Sequence, residues 1–483
     1  MTQGTSSLLQ PEEQVLSTLN ADGSRCWLRP RVSPGRFLTA RRWTAWILIA
    51  IFTALPFVKI NGKPAMLLDF PARQFTLFGA TFLATDTVFL ALLLVSIFAI
   101  IFLLTAFLGR LWCGWACPQT VYLEFVYRAI ERVIDGTAGR GGAGRPRSFP
   151  RTLLLLGCYL FVSLVVAHTF LAYFVGVDNL RQWLVRSPLE HPGSFLLMAI
   201  TTAAMMFNFT YFREQTCIVA CPYGRFQSVL LDRDSLIISY DPTRGEPRGK
   251  GRRTPRDSVA LPVVARTSES GNAPTAEERP LGDCIDCGLC VTTCPTGIDI
   301  RNGLQMECVA CAQCIDACDA VMQKIGLPTG LIRYTSQNRL ASGVGRVLRG
   351  RVFFYGALLT IVGSLLVWSL SARGEADITL LRGRGMLFNK MPDGRISNSL
   401  QIKITNRTGG KQSYRVALAD AAEGELLLES ALPTLAPLET VTVNAVLVLS
   451  AGQFEAGRAA IDLLVTSDAG YEHKITHTAI GPR

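Results

Sequence analysis

Five apolar runs, at residues 43–58, 87–108, 152–176, 194–212 and 352–370, decide what this chain can become. A helix needs about 20 mainly apolar residues to cross a bilayer. Four of the runs reach or approach that length. Buried core helices are a poor alternative, because charged residues make up only 18% of the chain, against about a quarter in a soluble domain. The first run is the shortest and carries Pro56, which leaves its ends open. It begins behind a polar, arginine-bearing segment (1–42), so it reads as a retained anchor, not a cleaved signal peptide.

Five spans put the two chain ends on opposite sides. Segments 1–42, 109–151 and 213–351 hold 6, 7 and 18 Lys plus Arg, whereas loops 59–86 and 177–193 hold 3 and 2. Basic loops stay in the cytoplasm. The N-terminus is therefore expected in the cytoplasm and the C-terminus outside it. The net charge of +11 then needs no nucleic acid; membrane lipid accounts for a basic inner face. Of the 14 cysteines, Cys158 lies inside a span, the others fall in segments assigned to the reducing side, and none follows Cys318.

Residues 284–295 read CIDCGLCVTTCP, a C-x2-C-x2-C-x3-C-P run, and 308–318 read CVACAQCIDAC with the same spacing and Asp319 in place of proline. Paired runs of this kind hold two [4Fe–4S] clusters. Three cysteines in a tight loop bind one cluster, and the fourth, carried off by a helix, binds the other. One cluster is thus expected on Cys284, Cys287, Cys290 and Cys318, and the second on Cys308, Cys311, Cys314 and Cys294. Gly288 and Gly297 relax the backbone near sulfur. Zinc ribbons are the alternative, but they give no reason for the run to occur twice.

Two further pairs read CGWACP (113–118) and CIVACP (217–222). Each follows the cytoplasmic end of a span, the second and the fourth. If the helix continues, cysteines four apart share one side of it, and Pro118 and Pro222 then end the helix or turn the chain. Cys113, Cys117, Cys217 and Cys221 could converge beside the ferredoxin. Thiolates favour Cu(I), zinc or iron–sulfur. The spacing does not separate a copper site from a third metal centre or a disulfide-forming redox pair. His168 and Cys158 lie within the third span, but one histidine makes no haem site. Met205 and Met206 read as packing, and Cys26 has no partner nearby.

Residues 249–279 are rich in Arg, Pro, Gly and Ser and read as a flexible linker. The ferredoxin domain follows at 280–326, inside a cytoplasmic segment 213–350. After the fifth span (351–371) the pattern turns to period two. SLQIKITN, SYRVALA, GELLLES, TVTVNAVLVL, AAIDLLVT and HKITHTAI predict an all-β immunoglobulin-like sandwich over 372–483. The fold class is therefore a multidomain membrane protein: a helical bundle (43–212 plus the fifth span), a 2[4Fe–4S] ferredoxin and a β-sandwich.

NGKPAMLLDFPARQF (61–75), RLWCGWACPQTVY (110–122), CPYGRFQSVLLDRDSLIISYDPTRGEPRG (221–249), the cysteine-rich segment 282–322 and GLIRYTS (330–336) together resemble the CcoG/FixG/RdxA family. These are accessory proteins for cbb-type cytochrome c oxidase. The resemblance implies a membrane cupric reductase, Cu(II) to Cu(I), with Cys113, Cys117, Cys217 and Cys221 as copper ligands. It implies a cytoplasmic electron donor, and oxidase assembly factors or a copper chaperone as partners. Two other functions are open: a quinol-linked electron-transfer subunit, and a non-enzymatic assembly scaffold. Whether two copies pair as a homodimer is also open.

Overall fold

The computed structural model describes Thr18 and residues 25–482, except 61, 71–73, 84–85, 143, 145, 251–280, 347, 372–373, 384–385, 421–423 and 438. All but the first two residues of the linker read at 249–279 lie outside the described residues. The chain divides into two compact units, Met1–Ser364 and Leu365–Arg483.

Among the described residues, five helices are long and apolar enough to span a membrane: Arg36–Phe57, Thr87–Leu108, Phe149–Val175, Pro192–Phe212 and Gly350–Ser371. Apolar side chains such as Val88, Phe98, Phe161, Phe354 and Trp368 are exposed along them, as a lipid-facing surface requires. Polar residues turn inward. Ser96 Oγ and Thr105 Oγ1 each donate to the carbonyl four residues back, at 2.8 Å.

The first span starts seven residues before the apolar run, at Arg36 instead of 43. Hydropathy stops at Arg41 and Arg42, but the helix continues because Arg41 is 1% exposed and has an internal partner. Its Nε donates to the Gly114 carbonyl at 2.9 Å. The start of this helix is capped from far away in sequence: the Phe37 and Leu38 amides donate to the Asp316 carboxylate at 3.2 and 2.8 Å. Gly35 leaves room for that carboxylate, since a Cβ there would overlap it. Pro56 lies in the 3-10 turn Leu55–Phe57 that closes the span.

The loop after the first span, where no strands were expected, forms β1 (Lys59–Ile60), β2 (Lys63–Pro64), β3 (Met66–Asp69), β4 (Gln74–Leu77) and β5 (Ala80–Leu83). β1 pairs with β2, and β3-β4-β5 make an antiparallel sheet. The bundle core gathers Tyr122, Tyr127, Leu155, Tyr159 and Phe209, with Tyr127 stacked on Phe209 at 4.2 Å.

Below that core lies a buried ion network. Arg128 bonds Glu124 and Glu214 (both 3.0 Å), Arg132 bonds Glu124 (2.6 Å), Arg213 bonds Glu131 (2.9 Å), and Arg147 bonds Glu131 and Asp135 (2.6 and 2.7 Å). Burial opposes ionisation of Glu124, but Arg132 and Arg128 outweigh it and hold the carboxyl at about 2. Arg128 also donates to the Pro295 carbonyl at 3.3 Å, which ties the network to the residue after Cys294.

The ferredoxin region is wider than the cysteine-bearing segment. β6 (Ile237–Tyr240) pairs antiparallel with β7 (Ile332–Thr335), bracketing the cysteine loops. The second unit is a two-sheet sandwich. Its strands are β8 (Ala376–Arg382), β9 (Asn389–Lys390), β10 (Ile396–Asn406), β11 (Tyr414–Leu418), β12 (Gly424–Leu428), β13 (Thr440–Leu449), β14 (Arg458–Ser467) and β15 (Glu472–Ile480). One sheet runs β12-β13-β10-β8 with β9 on β10, the other β11-β14-β15. Each expected run lies on a strand, and β8 and β9 are additional. Leu400, Ile402, Ile404, Leu447, Leu463 and Val465 fill the space between the sheets, spaced two apart as a half-buried strand demands.

The Asp316 cap is testable. Asp316→Ala should cost about 1–2 kcal/mol, the range of a lost helix cap, seen as a lower thermal midpoint of the detergent-solubilised protein. Asp316→Asn, which keeps an acceptor oxygen, should retain most of it.

Candidate metal centres

The second and fourth spans end alike. Gly109 and Arg213 stop them with nearly the same backbone, φ 58°, ψ −124° and φ 51°, ψ −121°. Glycine adopts this without strain, while Arg213 carries a cost of about 1–3 kcal/mol. Its carbonyl accepts from Gln119 Nε2 at 3.0 Å and its guanidinium is bonded to Glu131. Four residues later comes the first cysteine of each pair.

The helix does not continue through the pair, contrary to the i, i+4 expectation. Cys113 lies in a short helix, Leu111–Trp115, and Cys217 in a π-turn, Thr216–Ala220. Cys117 and Cys221 are extended residues just before the next helices, Pro118–Tyr122 and Pro222–Leu230. Pro118 and Pro222 therefore start helices, at the first position, where a missing N–H costs nothing. The Cys117 thiol lies at the start of its helix, where the nearby Thr120 and Gln119 backbone amides favour its ionised form against burial.

All four thiols are within charge–charge range of one another: Cys217 interacts with Cys117, Cys113 and Cys221, and Cys113 with Cys117 and Cys221. Burial pushes the Cys217 thiol up to about 12 and the Cys113 thiol to about 11, and it raises Cys117. Such thiols ionise only beside a compensating cation, which is what a bound metal supplies. Among the described residues, no three potential ligands already converge on a single-ion position. The four thiols would have to draw together to bind one ion.

The ferredoxin cysteines line two cavities. The outer one, about 380 Å³, is lined by Cys284, Cys287, Cys290 and Cys318 together with Tyr240 and Met322. The inner one, about 320 Å³, is lined by Cys294, Cys308, Cys311 and Cys314, with Cys290 in the shared wall. These are the two quartets expected from spacing, and the crossing-over is visible: Cys318 interacts with Cys290, Cys284 and Cys287, and Cys308 with Cys294 and Cys311. Burial lifts Cys308 and Cys318 to about 12 and Cys290 and Cys311 to about 11. Four soft thiols around each of two adjoining cavities fit iron–sulfur clusters.

Both loops bend the same way. Asp286 and Gly288 in the first run, and Ala310 and Ala312 in the second, all have positive φ (50°, 65°, 54° and 63°) at matching positions. Sequence reading found only Gly288 and Gly297, because alanine and aspartate do not advertise that conformation.

The thiol site and the inner cavity touch. Cys113 packs with Val309 and Cys311 in one buried cluster, against Tyr223. A Cβ on Gly114 would lie 2.5 Å from the Val309 carbonyl oxygen and 2.9 Å from Cys311 N and Cα. Cys113 Sγ donates to Gln227 Oε1 at 3.0 Å. Trp115 Nε1 donates to Tyr334 Oη at 3.1 Å, and Tyr334 in turn to the Ala310 carbonyl at 2.6 Å.

The remaining sequence candidates stay apart from these centres. His168 Nδ1 is 2.6 Å from the Leu164 carbonyl of its own helix. Cys158 lines an apolar groove with Leu154, Phe161 and Val162. Met205 and Met206 pack against the bundle core. Arg41, Arg110 and Gln227 were not anticipated; an arginine at the end of an apolar run reads as an interface residue unless its partner is known.

Family models match three parts of the chain: a 4Fe–4S dicluster domain at 212–337, a 4Fe–4S binding domain at 90–135, and the Ig-like fold at the C-terminus of FixG at 366–480. The chain is 33% identical to Protein RdxA of Cereibacter sphaeroides, over 81% of its own length and 82% of the relative's. It is 31% identical to Protein RdxB of the same organism over 93% and 95%. It is 30% identical to the nitrogen fixation protein FixG of Rhizobium meliloti over 78% and 76%.

Gly114→Ala should force the thiol loop and the ferredoxin loop apart. The expected result is a protein with its iron content intact but with slowed electron exchange between the clusters and added Cu(II), measured by stopped-flow bleaching of the cluster absorbance.

Proposed function

The chain belongs to the CcoG/FixG/RdxA family of membrane iron–sulfur proteins, and from that premise we propose that it is a cupric reductase serving the assembly of cbb-type cytochrome c oxidase. The observation that carries this reading is the buried contact of Cys113 with Val309 and Cys311, which joins the four-thiol site to the inner cavity. In this reading Cys284, Cys287, Cys290 and Cys318 hold one cluster and Cys294, Cys308, Cys311 and Cys314 the other. When bound, these clusters supply one-electron transfer at low potential.

Cys113, Cys117, Cys217 and Cys221 take Cu(II) as substrate. One electron enters from a cytoplasmic one-electron carrier protein and leaves on copper as Cu(I); the bonds broken are the S–H bonds whose protons copper displaces. Thiolates favour the softer Cu(I), so the ligand set itself makes copper reduction more favourable. Because Cys113 and Cys217 are protonated without a cation nearby, copper uptake releases protons, and affinity falls as pH falls.

The site faces the cytoplasm of the bacterial inner membrane. The sandwich lies in the periplasm, where it holds an oxidase assembly factor or a copper chaperone. The β-sandwich has no cysteine to cross-link it, which suits a binding module better than a catalytic one.

A second reading is favoured by the 4Fe–4S binding model over 90–135, which contains Cys113 and Cys117. There the four membrane-face thiols hold a third cluster. Iron analysis separates the two: about eight irons per chain for two clusters and about twelve for three. Changing Cys113, Cys117, Cys217 and Cys221 together to Ser should leave about eight irons, while oxidation of the reduced clusters by Cu(II) slows by at least tenfold. A variant that reacts as fast as wild type would sink the copper assignment.

A further inference from the structure

The two cluster cavities sit in opposite electrostatic surroundings. Beside the outer cavity the guanidinium that acts on Cys290, Arg301, is bonded to Asp299 at 2.6 Å and to Asp286. Asp319 adds a third carboxylate next to Cys318. Cys287 of this cavity is exposed.

The inner cavity has two buried arginines instead. Arg110 is 6% exposed, is within hydrogen-bonding reach of Cys113, and acts on Cys308. Arg41 is 1% exposed, is held by the Gly114 carbonyl, and acts on Cys311. Among the described residues, Arg110 Nε and Nη1 and Arg41 Nη1 and Nη2 have no hydrogen-bond partner. The carboxylate closest in charge to Arg41, Glu124, is already taken by Arg128 and Arg132. Buried cations persist only with compensating anionic charge. Arg110 acts on Cys308 and Arg41 on Cys311 of the inner cavity, and a cluster held there would supply that charge.

We propose that Arg41 and Arg110 are positioning residues that hold the inner cluster site at a higher reduction potential than the outer one, and so direct electrons from the exposed outer site toward the Cys113 thiols. This rests on the reading of the two cavities as cluster sites. The physics is Coulombic. An arriving electron adds one negative charge, and an unpaired cation in a poorly screening interior lowers the cost of that charge. At the outer site Arg301, Arg248 and Arg244 are each bonded to a carboxylate and give little such relief. One electron leaves the outer site and one arrives at the inner, with no atom transferred.

The test is an anaerobic redox titration of the full-length protein in detergent, followed by electron paramagnetic resonance. Wild type should show two one-electron waves. The upper should be lost or altered in Cys314→Ser and the lower in Cys318→Ser. Arg110→Gln and Arg41→Gln should each move the upper wave down by about tenfold in the reduced-to-oxidised ratio, ~59 mV for one electron, and move the lower wave much less. Arg110→Lys, which keeps the charge, should restore most of the shift. An upper wave belonging to the outer site, or an upper wave unmoved in both Gln variants, overturns the proposal. If a Gln variant does not retain iron, the order of the wild-type waves still decides. A wild-type protein that holds no clusters overturns the cavity assignment itself.

Discussion

Two backbones meet at Gly114 with no space for a side chain between them. One belongs to the loop that leaves the second span, the other to the loop that carries Cys311. Much else in the first unit serves to keep that contact. Asp316 caps the first span, Arg41 binds the Gly114 carbonyl, and Arg128 reaches the Pro295 carbonyl. Each bond joins a membrane-bundle residue to the ferredoxin or to the thiol loop beside it. A ferredoxin on a loose tether would meet the thiols only by diffusion; docked in this way, it keeps its inner cysteines in contact with Cys113.

The docked arrangement buries many charges, and each must be accounted for. The bundle base does so by mutual pairing, as in Glu124 with Arg128 and Arg132. The cysteines have no charge to account for until a metal binds, since burial keeps them protonated. Arg41 and Arg110 belong to neither group, and their free N–H groups lie between the thiol site and the inner cavity.

Much of this was legible in sequence, for clear reasons. A membrane span is a composition signal, so four of the five helices fall within three residues of their apolar runs. Cluster ligation is a spacing signal, so both quartets line the cavities assigned to them. Strands of the sandwich carry a period-two signal, and the expected runs are all present. What could not be read depends on residues far apart in the chain. The first span includes Arg41 because of Gly114, and its cap comes from Asp316. That Pro118 and Pro222 start new helices was also not read, because an X-Pro step reads as an ending when it is here a start as well. The alanines at positive φ in the second cysteine run gave no warning either.

That thiols from two separate spans make one metal site is best examined by copper K-edge X-ray absorption on protein loaded anaerobically with one Cu(I). The expected first shell is sulfur alone, and it should lose sulfur both in Cys113→Ser/Cys117→Ser and in Cys217→Ser/Cys221→Ser. A shell of nitrogen or oxygen, or a spectrum unchanged when either pair is removed, would contradict a shared site.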